Sequence, residues 1–258
     1  MEYRRLGNSG LKVSTLCLGA MMFGDRTTED VASRIVDSAL DAGVNFIDTA
    51  DSYAKGGSET MVGNLIAKRR DHWVLATKVQ NATNPEDPNS GGGGRKWITY
   101  EIDASLTRLK TDYVDVYYLH RDDLETPLEE TVATLGDLIR AGKVRHIGLS
   151  NFDGWRIAEF VNTCRRLGVQ PPIVLQPVYN AMNRLAEVEM FPACEYYGLG
   201  IVPYSPLARG VLTGKYVPGA KPEGDTRAGR SDRRMLESEF RDESLRHAQR
   251  IKAPKSAA

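Results

Sequence analysis

The chain has 258 residues, of which 41% are hydrophobic and 26% charged, with 34 Lys plus Arg balancing 34 Asp plus Glu. That profile suits one soluble domain covering residues 1–258, because α/β barrels commonly take about 250 residues, and the even charge speaks against nucleic-acid binding or a polybasic membrane anchor. The three cysteines, Cys17, Cys164 and Cys194, form no CxxC pair, which argues against a zinc or other metal site and for a reducing compartment, while the charged N-terminus lacks a signal-peptide core and no apolar run nears the ~20 residues of a membrane span, so the expected location is cytoplasmic.

In chain order, residues 13–19 read as a first strand. After Thr28, Val31, Ile35, Val36 and Leu40 share one helical face, and Gly43 stands where a C-terminal cap belongs. Residues 45–49 and 73–79 read as the next two strands. The segment 80–96, with Pro85, Pro88 and glycines at 91 to 94, is expected to be a flexible loop over one end of the fold. Ile102, Leu106 and Leu109 mark a helix, and 113–120 a strand. Thr126 reads as an N-cap, Pro127 as a first-turn proline and Glu129 as its capping-box partner, ahead of Val132, Leu135, Leu138 and Ile139. Strand 144–150 follows, then a helix capped by Asp153, carrying Ile157, Phe160 and Val161 and ending at Gly168. Residues 173–178 and 200–205 are the last strands. The segment 217–234 is an active-site lid or a plain surface loop, 238–252 a helix, and 253–258 a loose end.

Most of these strands are continuously apolar, as strands buried on both faces are, and they recur at roughly 30 to 40 residues, the size of a βα unit. Two architectures fit, a closed (β/α)8 TIM-type barrel and an open doubly wound sheet. The open sheet usually carries GxGxxG after its first strand; Gly19-Ala20-Met21-Met22-Phe23-Gly24 does not match, so the barrel is preferred.

Barrels place chemistry at the C-terminal ends of their strands. Here those ends carry Asp48, Lys78, His120, Ser150 with Asn151, Gln176, and Tyr204 with Ser205. Each has a plainer reading: Asp48 as a turn cap, Lys78 as a solvated cation, His120 as a satisfied edge histidine, and Tyr53 as a half-buried aromatic. Together they form a proton-transfer set. A free tyrosine has a pKa near 10; a nearby Lys78 cation favours the phenolate, Asp48 holds that cation, and His120 orients a substrate oxygen.

The motifs Asn45-Phe46-Ile47-Asp48-Thr49-Ala50-Asp51-Ser52-Tyr53, Ala76-Thr77-Lys78, Asp115-Val116-Tyr117-Tyr118-Leu119-His120 and Ile147-Gly148-Leu149-Ser150-Asn151 stand in order along the chain. Gln176-Pro177-Val178-Tyr179-Asn180 and Tyr204-Ser205-Pro206-Leu207-Ala208-Arg209-Gly210 continue them. In these the chain resembles the aldo-keto reductase superfamily, in the branch that includes the voltage-gated potassium channel β subunits. The resemblance implies NADPH-dependent reduction of a small aldehyde or ketone, with Asp48, Tyr53, Lys78 and His120 as the catalytic group and Tyr53 as proton donor. It further implies that Ser150, Asn151 and Gln176 hold the carboxamide and that Tyr204 stacks on the nicotinamide. Ser205, Leu207, Gly210 and Lys215 would meet the pyrophosphate, and Arg227, in competition with Arg230 and Arg233, the adenosine phosphate. Two other roles stay open, a cofactor-binding regulatory or channel-associated module and a shortened, inactive reductase.

One departure from the family stands out. No β-branched run follows Gly210, so the expected barrel lacks its eighth strand and the segment that clasps the adenosine. A truncated form, closure by a partner copy, and a foreign C-terminal tail all fit this. A seven-stranded barrel exposes two sheet edges, which predicts lowered stability and homo-oligomerisation.

Overall fold

The structure is a computed structural model that describes residues 1–84 and 86–252. The described residues form two compact units: Met1–Gln176 with Glu189–Val202, and Pro177–Val188 with the residues from Pro203 onward. Pro85 of the glycine-rich loop and the proposed loose end at 253–258 lie outside the described residues.

In the first unit a short antiparallel hairpin, β1 (Tyr3–Arg5) and β2 (Lys12–Ser14), precedes a parallel sheet. That sheet runs β3 (Leu18–Gly19), β4 (Phe46–Asp48), β5 (Val74–Val79), β6 (Val114–Leu119), β7 (Val144–Ser150), β8 (Val174–Gln176) and β9 (Gly200–Ile201), in this spatial order. Every neighbouring pair is parallel. Helices connect the strands: α1 (Glu29–Asp41), α2 (Gly57–Ile66), α3 (Arg95–Leu109), α4 (Leu128–Arg140), α5 (Gly154–Arg166) and α6 (Met190–Tyr197). A sequential all-parallel order with intervening helices is the (β/α)8 barrel pattern. Seven of its strands are present, and among the described residues there is no eighth strand and no pairing between β9 and β3.

Two apolar layers sandwich the sheet. Ile47, Leu75, Tyr117, Leu119, Ile147, Leu149 and Leu175 pack with the helices. Phe46, Val74, Ala76, Val116, Tyr118 and Val174 form the opposite, inner layer, joined by Leu6 and Val13 of the hairpin segment. Alternate residues of one strand therefore enter different cores, as the two-residue period requires.

The expected first strand, 13–19, is two pieces, β2 and β3, because its first half pairs with residues 3–5. The last strand stops at Ile201. Thr126 is not the cap of α4: the helix starts at Leu128 after Pro127, and the Thr126 hydroxyl donates to Asp123 Oδ2 at 2.6 Å. The cap position falls one residue later, on Pro127, which has no side-chain oxygen to offer the first turn. The glycine-rich loop is anchored by main-chain bonds, Gly92 N–H to Gln80 O at 2.9 Å and Gly93 N–H to Asp123 Oδ2 at 2.6 Å.

The second unit carries a one-turn helix over Ala208–Thr213, then α7 (Arg233–Ser238) and α8 (Asp242–Lys252). The helix expected over 238–252 is present from Asp242 onward as α8, and the separate short α7 precedes it. Val211, Tyr216, Met235, Leu245 and Ala248 form its own core. No helix among the described residues is long and apolar enough to cross a membrane.

Gly148 shows how tightly the inner layer is filled: a Cβ there would lie 2.4 Å from the Tyr118 ring. Gly148→Ala should therefore cost about 1–3 kcal/mol, read as a lowered denaturation midpoint at unchanged m-value.

Candidate active site

Strand parity builds the site. Asp48 follows Phe46 by two residues, Lys78 follows Ala76, His120 follows Tyr118, and Gln176 follows Val174, so each inherits the inner face. Ser150 keeps the parity of Gly148, whose missing Cβ points at Tyr118. Tyr53 comes from the turn after β4, where it opens the short helix Tyr53–Gly56.

Lys78 is fully buried. Its Nζ donates to Asp48 Oδ1 at 2.5 Å, to Thr49 O at 2.9 Å and to Tyr53 Oη at 3.2 Å, which uses all three ammonium hydrogens. Burial by itself pulls the lysine down, but the charge of Asp48, then Tyr53, outweighs it and the net shift is upward. The ammonium therefore stays charged in an apolar strand interior. Asp48 Oδ2 accepts from Gln176 Nε2 at 3.2 Å. Beneath them the partly buried Cys17 thiol is pushed well up by burial and then by Asp48, so it is a neutral core group.

The network continues toward His120. Ser150 Oγ donates to Gln176 O at 2.9 Å, and Asn151 Nδ2 donates to Ser150 Oγ and His120 O, both at 3.0 Å. The His120 ring stands edge-on to Tyr53, with centroids 5.6 Å apart. The first unit thus brings together Asp48, Tyr53, Lys78, His120, Ser150, Asn151 and Gln176. The Gln176 amide nitrogen is engaged with Asp48, a tie the sequence reading did not contain.

Left-handed backbone gathers here. Ala54 and Lys55 after Tyr53, Gln80 after β5, and Asn151 after Ser150 all have positive φ, with Gln80 at 100°. Such non-glycine conformations cost about 1–3 kcal/mol each and persist where surrounding structure imposes them.

Two features escaped the sequence reading. Asn81 Nδ2 lies 3.2 Å from Ser52 Oγ and 2.9 Å from His120 Nδ1. Behind the sheet, on the helix side of β5, Thr77 Oγ1 donates to Glu59 Oε1 at 2.5 Å, and Arg108 binds Glu59 at 2.6 Å and also Glu101. Asp51 shares this field. Burial first, then the charges of Glu101 and Glu59, push its carboxyl up to about 8. The spacing of Glu101, Ser105 and Arg108, on the same helical face as buried Ile102 and Leu109, was the available signal for a buried polar stripe.

The second unit holds the remaining candidates. Tyr204 N–H donates to Pro177 O at 3.0 Å, and Asn180 Nδ2 donates to Ser205 O at 3.0 Å. Gly210, with φ of 100°, lies in the turn after the exposed Leu207, and a Cβ on it would sit 3.3 Å from Lys215 Nζ. Arg227 is half-buried, whereas Arg230 donates to Asp225 O and Arg233 pairs with Glu237 at 2.7 Å.

Comparison with known proteins gives a consistent result. The model of the Aldo/keto reductase family matches residues 15–252. A probable voltage-gated potassium channel subunit beta of Arabidopsis thaliana is 40% identical over 257 residues, covering 98% of this chain and 78% of that protein. The protein of the same description from Oryza sativa subsp. japonica is 38% identical, with the same coverage. The uncharacterized oxidoreductase YrpG of Bacillus subtilis (strain 168) is 40% identical over 227 residues, 83% of this chain and 69% of its own length.

Asp51 gives the site a pH signature in stability. Its carboxyl titrates near 8 in the folded chain against 3.8 for the ordinary group, so between those values the unfolded chain has lost a proton that the folded chain keeps. Folding stability from this group is whole below the lower value and falls as pH rises through 8, by at most about 1.4 kcal/mol per pH unit. Asp51→Asn should therefore melt at a higher temperature than the unaltered protein at pH near the upper value. The gap should close in mildly acidic buffer, as thermal denaturation followed by circular dichroism would show.

Proposed function

The chain belongs to the aldo/keto reductase family, and from that premise we propose that it reduces aldehydes or ketones to alcohols with NADPH, taking the proton from Tyr53. The observation that carries this reading is the buried Lys78 ammonium, which donates to Tyr53 Oη while Asp48 holds it. A phenol oxygen that accepts from an ammonium keeps its own hydrogen for an outside acceptor, here a carbonyl oxygen. The same ammonium, itself fully buried, then stabilises the phenolate left behind as a pre-organised charge. His120 orients the substrate oxygen at the neighbouring strand end.

The cofactor is assigned to residues of matching chemistry within each unit. Ser150, Asn151 and Gln176 offer amide and hydroxyl groups suited to a carboxamide, and Tyr204 an aromatic face for the nicotinamide. Ser205, Leu207 and Gly210, with the Lys215 ammonium beside that glycine, suit a pyrophosphate. Arg227, half-buried, is assigned to the adenosine phosphate ahead of Arg230 and Arg233, whose side chains bond Asp225 and Glu237. When bound, the reduced nicotinamide supplies the hydride. The reading takes residues 1–258 as a single cytoplasmic domain of this family, acting on a small carbonyl substrate and prone to self-association through its sheet edges.

A second reading, a channel-associated module, is favoured by the names of the two plant relatives. Co-purification with a membrane protein in the absence of turnover would support it.

Titration with NADPH and separately NADH, following the fluorescence of Trp73, Trp97 and Trp155, should show saturable binding that is tighter for NADPH. Tyr53→Phe should leave that binding intact and lower kcat with an aromatic aldehyde by about 10²–10⁴-fold. Undiminished turnover by Tyr53→Phe would remove the tyrosine from its role.

A further inference from the structure

His120 is held on two sides by backbone. Its N–H donates to Val79 O at 2.9 Å, and its carbonyl accepts from Asn151 at 3.0 Å. Neither bond decides which ring nitrogen carries the proton of the neutral imidazole, and that choice matters, because only a protonated nitrogen can donate to a carbonyl oxygen.

A ring contact that bears on the choice comes from Asn81, one residue beyond the left-handed Gln80. The left-handed Gln80 is held by its buried side chain and by Gly92 N–H donating to its carbonyl at 2.9 Å. That turn carries the chain off β5 so that the Asn81 side chain reaches His120 Nδ1, 2.9 Å away, and Ser52 Oγ, 3.2 Å away. Both contacts are made by one atom, the amide nitrogen, which has two hydrogens and no lone pair to offer. One hydrogen serves each acceptor.

We infer that Asn81 is a positioning residue that donates to His120 Nδ1, fixing the ring's orientation and confining the proton of neutral His120 to Nε2. Nε2–H is then the hydrogen-bond donor for the substrate oxygen. The same amide bonds Ser52, the residue before Tyr53, so it ties the turn that bears the proton donor to the ring that orients the acceptor. A cost is accepted in the left-handed Gln80 to place this one amide. The inference rests on the reading of His120 as the group that orients the substrate oxygen, but the state of the ring can be measured without turnover.

The experiment is two-bond ¹H–¹⁵N correlation NMR of the imidazoles of the full chain in mildly alkaline buffer. His120 is assigned among the four histidines by the signals lost in His120→Gln. The expected spectrum shows a protonated Nε2 and an unprotonated Nδ1. Asn81→Asp, nearly the same shape but able only to accept when ionised, should move the proton to Nδ1. It should also lower kcat by about 10²-fold, the scale of losing one aimed donor, with a much smaller change in KM. Asn81→Ala should give a mixture of tautomers and an intermediate kcat. Protonated Nδ1 in the unaltered protein, or a tautomer indifferent to Asn81→Asp, would overturn the inference. The first result decides even where the variants fold poorly. If the spectra come out as expected while the unaltered protein turns over no carbonyl substrate, the reductase reading fails and the assignment of Asn81 stands.

Discussion

The fully buried ammonium of Lys78 constrains everything around it. An isolated charge in a strand interior would cost far more than folding can spare, so the fold must supply a counter-ion and a full set of acceptors. It does so with Asp48, the Thr49 carbonyl and the Tyr53 hydroxyl. Asp48 in turn needs its second oxygen satisfied and finds Gln176 on the same face, from β8, four strands along the sheet. One charge thus binds β4, β5 and β8 and the turn after β4 into a single arrangement. That arrangement leaves a phenol whose oxygen is already in contact with a cation.

The site depends on backbone strain as much as on side chains. The strand ends must release their polar residues toward one place, and an extended strand cannot turn sharply enough by itself. Ala54, Lys55, Gln80 and Asn151 make the turns in the left-handed region. Main-chain hydrogen bonds hold three of them: Lys55 N–H to Ser52 O, Gly92 N–H to Gln80 O, and Asn151 N–H to Gln176 O. The glycine-rich loop is in this sense a brace for Gln80, although its composition suggests slack.

A second buried charge group lies on the opposite face of β5. Thr77, adjacent to Lys78 and so pointing outward, meets Glu59 of α2, and Arg108 of α3 joins Glu59 to Glu101. The close approach of the two helices shows at Gly63, where a Cβ would lie 2.6 Å from the Arg108 carbonyl. Buried carboxyl groups this close do not all ionise comfortably: burial raises Glu101 despite its bond to Arg108, and burial with the charges of Glu101 and Glu59 pushes Asp51, two residues before Tyr53, up to about 8. The same strand therefore presents a cation to the candidate site and anchors an acidic cluster behind it.

The sequence by itself determined the barrel class, the order of its long strands and the residues at their ends. Apolar runs alternating with helical stripes are local patterns, and a two-residue period assigns faces without further information. The short elements were not legible: residues 3–5 are exposed and polar, and become a strand only because 12–14 lie opposite them. Thr126 carried every local sign of a cap, yet Asp123 captured its hydroxyl. Tertiary structure alone decided the partner of Gln176, the reach of Asn81 to His120, and the meeting of Asp51 with Glu59 and Glu101. These involve side chains from separate strands and helices, and no local propensity encodes a distance between residues that only folding brings together.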